Sequence, residues 1–161
     1  MNRHNTHRRP RYLSSIAAAL FVIALTVGNV HPAFAQTDQE VDSRMDDLFG
    51  THAPYKQFFQ QLQQAVAHAD KPAVAGMVKY PIKVTLHGKK VTLRTPRDFI
   101  AHYDEIFTPA LVDVVAKQTY ATLFTRDQGV MIGGGEIWFS GICHDKACKD
   151  VAVKIITFNL G

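Results

Sequence analysis

Apolar residues recur at spacings of three and four through the first half of this chain, and at spacings of two through much of the second. Tyr55, Phe58, Phe59, Leu62, Val66 and Ala69 form one stripe, and Gln57, Gln60, Gln61, Gln63 and Gln64 occupy the opposite side. That segment predicts an amphipathic helix, with Pro54 suited to its first turn. Upstream, Thr37 and Glu40 have the spacing of a capping box, Val41, Met45 and Leu48 share a face, and Gly50 supplies a stop; a short helix is expected there. Asp70-Lys71-Pro72 ends the long helix and caps a further one over 73–78. Thr95-Pro96 opens a helix whose apolar arc is Phe99, Ile100, Tyr103, Ile106 and Phe107. Thr108-Pro109 opens another that reaches Lys117.

The period then changes. Tyr80, Ile82, Val84 and Leu86 alternate with polar residues, His87-Gly88-Lys89-Lys90 turns the chain, and Val91 and Leu93 return it. Strands are expected over 120–126, from Val130 through Ile132 and on from Glu136 to Cys143, and over 151–160, with a bend at Gly133-Gly134-Gly135. Segregated helices followed by consecutive strands point to an α+β fold with a curved antiparallel sheet wrapped around N-terminal helices. There is no internal repeat and no low-complexity tract.

The N-terminus changes the reading of charge. Arg3, Arg8, Arg9 and Arg11 precede an apolar stretch from Ile16 to Gly28, and Ala33-Phe34-Ala35 follows as a small-x-small cleavage site. This is the layout of a secretory signal peptide, removed after Ala35 to leave a periplasmic or secreted protein. The apolar stretch is too short to span a bilayer, so no stable span is expected in the mature form. Residues 1–35 are therefore set apart from a short helix over 36–50 and a single domain over 51–161. The whole chain carries 18 Lys+Arg and 14 Asp+Glu. Losing the four leader arginines balances the mature charge, which removes a global argument for nucleic acid as a partner.

Cys143 and Cys148 are the only cysteines and flank His144-Asp145-Lys146-Ala147 between two strand-like segments. In an oxidising compartment a disulfide that staples the hairpin loop is the leading reading. A metal site using Cys143, His144, Asp145 and Cys148 has the wrong spacing for zinc, and the pair is not Cys-x-x-Cys.

Phe58-Phe59-x-x-Leu62-x-x-Ala65-Val66-x-x-Ala69-Asp70, then Val74-x-x-Met77-Val78, the hairpin, Phe99 to Phe107, and the closing strands form an ordered pattern. With Gly129-Val130-Met131-Ile132 and Gly135-Glu136-Ile137-Trp138-Phe139, it resembles exported bacterial members of the nuclear-transport-factor-like superfamily. These are cystatin-like α+β cones that include ketosteroid-isomerase-like and polyketide-cyclase-like proteins. The resemblance implies a cone with an internal pocket. It assigns no catalytic residue here, because that superfamily hosts isomerases, dehydratases and binding modules alike.

Candidate chemistry is sparse. If Cys143 and Cys148 are strand partners, Trp138 faces Val153, Ser140 faces Val151, and Glu136 faces Ile155; Glu136 then sits among Trp138, Val153 and Ile155. It is either a carboxylate lining a pocket or one at the sheet rim bonded to a nearby group. His102 and Asp98 lie one helical turn apart and are a candidate acid–base pair, with Tyr103 as hydrogen-bond donor; the bland alternatives are a helix-boundary histidine and a core tyrosine. Trp138, Glu136 and Tyr103 are the ligand-binding candidates. Lys83, Lys89, Lys90 and Arg94 form a basic hairpin, either a solvated edge or a surface for an anionic partner. No nucleophile elbow, phosphate loop, metal cluster or cofactor motif is present. The leading expectation is a non-enzymatic exported domain that binds a small apolar ligand or an envelope protein, as a monomer or homodimer. The rivals are a cofactor-free lyase or isomerase, and an envelope inhibitor acting through the stapled loop.

Overall fold

The computed structural model describes residues 36–160. The expected signal peptide, residues 1–35, lies outside them. Among the described residues no helix is long and apolar enough to cross a membrane.

The fold is α+β. Helix α1 (Asp38–Phe49) begins with a complete capping box: the Thr37 hydroxyl accepts from the Glu40 N–H at 3.3 Å, and the Glu40 carboxylate accepts from the Thr37 N–H at 2.8 Å. Val41 and Met45 are fully buried, whereas Leu48, on the same face, is exposed in the last turn. Helix α2 (Ala53–Ala67) buries Tyr55, Phe58, Phe59, Leu62 and Val66 as its stripe requires. Ala69 does not extend the stripe: the helix ends at Ala67, and Ala69 adopts a left-handed backbone with φ 51°. Asp70 then caps α3 (Lys71–Gly76) by accepting from the Ala73 N–H.

Strands β1 (Ile82–Leu86) and β2 (Lys89–Leu93) pair antiparallel, with Leu86 opposite Lys89. The turn is therefore only His87-Gly88, and both residues are left-handed (φ 49° and 76°). That two-residue geometry matches the strand twist and needs glycine at its second position. Lys89 and Lys90, expected in the turn, belong to β2.

The arc from Phe99 to Phe107 forms two short helices, α4 (Pro96–Ala101) and α5 (Tyr103–Ile106). The chain breaks at His102, whose backbone (φ −106°, ψ 10°) leaves the helical region, and Ile100 is exposed. Helix α6 (Pro109–Lys117) follows its Thr108 cap. A single 3₁₀ turn (Tyr120–Thr122) replaces the first half of the expected third strand. Then β3 (Phe124–Arg126), β4 (Gly129–Ile132), β5 (Ile137–Cys143) and β6 (Val151–Phe158) form an antiparallel meander.

Two contacts tie helices and hairpin to that sheet. The segment after α3 runs parallel to β6: the Ile155 N–H donates to Met77 O at 2.8 Å, and the Lys79 N–H donates to Ile155 O at 2.9 Å. The Tyr120 hydroxyl donates to the Asp42 carboxylate at 2.7 Å, and Lys56 sits 4.3 Å above the Tyr120 ring. One core joins all layers. Phe99 packs edge-on or tilted against Tyr80, Tyr103, Phe107 and Phe158, and Phe58 meets Phe139 from the sheet.

The Cys143–Cys148 disulfide is formed, with 4.7 Å between the Cα atoms; it is compatible with an oxidising compartment. The strand register differs from the one expected from those cysteines. Cys143 is opposite Val151, Ser140 opposite Lys154 and Phe139 opposite Ile155. The cause is the Asp145 carboxylate, which accepts from the N–H groups of Ala147, Lys149 and Asp150. It gathers Lys149 and Asp150 into the loop, so Cys148 (φ 53°) precedes β6. A bulge at Ile156 shifts the pairing again, placing Trp138 opposite Thr157. Trp138 consequently lies on the opposite face from Ile155, and Glu136 falls in the β4–β5 turn, outside the strand.

Candidate functional site

A cleft of about 470 Å³ opens where five segments meet. Its floor is apolar: Leu86 from the end of β1, Ile106 from α5, Leu111 and Val114 from α6, and Leu160 after β6. Its titratable groups are His87 at the β1–β2 turn, Glu105 on α5 and Glu136 on the β4–β5 turn, and Thr85, Thr108 and Asn159 complete the polar lining. No lysine or arginine lines it.

Local chemistry fixes each of these groups. The tight turn holds His87 at the mouth. There its Nε2 lies 3.1 Å from one Glu105 oxygen, while His102 Nδ1 lies 2.8 Å from the other. Two imidazoles thus bracket one carboxylate. The His102 hydrogen bond foremost holds the Glu105 carboxyl below the usual glutamate range; burial opposes it, and the attraction of His102 and His87 and the His87 hydrogen bond add to the lowering.

Glu136 is held differently. Its backbone carbonyl accepts from the Asn159 N–H at 2.9 Å, and the Asn159 side chain donates to Gly135 O at 2.7 Å, which anchors the turn to the chain after β6. Gly133 (φ 68°) lets the turn fold over the carboxylate: a Cβ there would strike Glu136 Oε2 and stand 2.5 Å from Val114 Cγ1. Glu136 Oε2 is buried and has no hydrogen-bond partner. Leaving such an acceptor unmet costs about 1–3 kcal/mol. A shallower recess lies beside the turn, lined by Met131, Gly134, Gly135, Trp138 and Asn159, and Glu136 borders both hollows.

Of the residues predicted from sequence, Glu136 and Trp138 meet in that recess. The other candidates do not join them. Asp98 caps its own helix, accepting from the backbone N–H groups of Arg94 and Thr95; the Arg94 bond foremost keeps its carboxyl low. The Asp98–His102 pair therefore does not form, because the helix break at His102 turns the imidazole to Glu105 instead. Tyr103 is a core residue stacked on Phe107, and burial raises its phenol pKa. Its hydroxyl is buried without a partner. Lys83 and Lys90 project from the exposed face of the hairpin, Lys89 is exposed beside the turn, and Arg94 follows β2. Cys143 and Cys148 bond to each other, away from the cleft-lining set.

Glu105, His87, Leu111 and Val114 were not among the predicted site residues. His87 was legible as a turn residue and Glu105 as a helix residue three positions from His102, but only the tertiary fold joins them. No protein-family model, curated protein or solved structure matches this chain.

Proposed function

We propose that this is an exported, non-enzymatic binding domain that takes a small and largely apolar ligand into the cleft between the β1–β2 turn, α5–α6 and the β4–β5 turn. One observation carries the reading: a hollow of about 470 Å³ with an apolar floor and a few converging polar groups. Size and lining fit a small-molecule site. The superfamily resemblance, which implies an internal pocket, supports the same reading. Export rests on the arginine-led N-terminus and agrees with the stapled hairpin. Native mass spectrometry of protein recovered from its own cell envelope tests the reading. The chain should begin at Gln36 and carry a retained small molecule, and Ala110→Trp, which fills the mouth of the cleft, should lose it. A ligand retained equally by both forms contradicts the reading.

One observation favours a second reading, an acid–base lyase or isomerase. His87 and Glu105 are hydrogen-bonded in the same hollow as Glu136, which supplies a proton acceptor and donor without a cofactor. Such an enzyme exchanges a carbon-bound proton of its retained ligand with deuterated solvent, and His87→Gln abolishes that exchange. A ligand that never acquires deuterium leaves the binding domain alone.

A further inference from the structure

The orphaned oxygen of Glu136 specifies what the ligand carries. The cleft is lined by two carboxylates, Glu105 and Glu136, and by no lysine or arginine; Thr85, His87, Thr108 and Asn159 are its other polar side chains. Glu105 is a charged carboxylate already shared by His87 and His102. The Thr108 hydroxyl accepts from the Leu111 N–H, and the Asn159 amide donates to Gly135 O of the β4–β5 turn. That leaves the Glu136 carboxylate, which lines the cleft with one oxygen covered by protein beside Gly133 and Val114 and accepting from nothing. Seating a purely apolar molecule against the part-exposed Glu136 carboxylate would desolvate it further without a partner, and an anionic head would add repulsion. A cationic donor cancels both, and a charge-assisted hydrogen bond is about twice as strong as a neutral one.

We infer that the cleft is a site for a cationic amphiphile, a molecule with an apolar chain or ring that lies along Leu86, Ile106, Leu111 and Val114 and a single protonated amine that donates to Glu136. This rests on the proposed binding role of the cleft. Lys89 and Lys90 stand next to the mouth but do not line the hollow. They favour a short head held deep at Glu136 over a polycation spread across the rim.

Three probes with one chain length separate the possibilities: octylamine, octan-1-ol and octanoate, titrated at pH 7 by calorimetry, with the fluorescence of Trp138 beside Glu136 as a second readout. Octylamine should bind at least roughly tenfold tighter than octanol, the equivalent of a charge-assisted bond against a neutral one, and octanoate weakest. Glu136→Gln should bring amine and alcohol within about threefold of each other while octanol affinity persists. Asp47→Asn, on the exposed face of α1, removes the same charge elsewhere and should leave the preference intact. Octanol or octanoate binding as tightly as octylamine, or a preference that survives Glu136→Gln, overturns the inference while the binding role stands. If none of the three binds, or if Ala110→Trp binds all three unchanged, the binding role itself fails.

Discussion

Strand β5 runs between two carboxylates with opposite circumstances. Beyond its C-terminal end, Asp145 accepts from three backbone N–H groups inside a disulfide-closed loop. Those bonds, led by the one from Asp150, hold its carboxyl below the usual aspartate range. Before its N-terminal end, Glu136 buries an oxygen that nothing satisfies. The first carboxylate is spent on shaping a loop. The second leaves an acceptor unmet, at a cost in stability. An unmet group that also lines a cleft, as Glu136 does and the core Tyr103 hydroxyl does not, is placed where another molecule can meet it.

That contrast can be tested from its strongest consequence downward. Phe139 lies on β5 between the two carboxylates and is fully buried against Phe58. Phe139→Ala should cost about 3–5 kcal/mol in denaturant unfolding and disturb both ends together. A cost below about 1 kcal/mol would mean that β5 does not couple them to one core. Cys143→Ser with Cys148→Ser should cost about 2 kcal/mol by loop-closure entropy and leave octylamine affinity unchanged; a lost affinity would link the staple to the cleft. Glu136→Leu should raise stability, by up to about 1 kcal/mol, while abolishing the preference for an amine. A destabilised Glu136→Leu protein would show that the carboxylate has a structural partner after all.

Acid provides a smaller effect. Asp42, Asp98, Glu105 and Asp145 all have lowered carboxyl pKa values in the folded chain. For Asp42, burial opposes the lowering, and the hydrogen bonds from Tyr120 and Lys56 outweigh it. A depressed folded pKa contributes stability that is present above the unfolded value, near pH 4, and lost as pH falls through the folded value. The melting temperature should therefore hold steady from neutral pH to about pH 5 and fall below about pH 4. Melting that rises on acidification would contradict these assignments. The smallest effect on stability is Asp145→Ala, because the loop is exposed and the disulfide still closes it; amide hydrogen exchange should rise at Ala147, Lys149 and Asp150 as the loop loosens, with no change at the cleft.

The two ends also differ in how far the sequence discloses them. Caps are local chemistry, and Thr37 with Glu40, Asp70, Thr95 and Thr108 were legible from spacing alone, whereas Asp98 was read as a partner of His102 and completes the Thr95 capping box instead. The β1–β2 alternation and the cysteine pair were legible for the same reason. The β5–β6 register was not: it depends on how many residues Asp145 draws into the loop, and on a bulge at Ile156 that alternation does not reveal. The break at His102 was hidden because a continuous apolar arc reads as one helix. Glu136 was visible as a carboxylate in apolar company, although through a register that does not occur. His87 and Glu105 were invisible as a pair, since 18 positions separate them and only the packing of the hairpin against α5 joins them.

The central claim is that Glu136 recognises a ligand within this cleft. Amide chemical shifts of the isotope-labelled protein during titration with octylamine test it most directly. The account predicts the largest changes at His87, Gly88, Leu111, Val114 and Glu136, saturating together, and none at Asp145 to Asp150. Changes centred on the stapled loop or on the outer face of the hairpin, with Glu136 and Val114 unmoved, would contradict it.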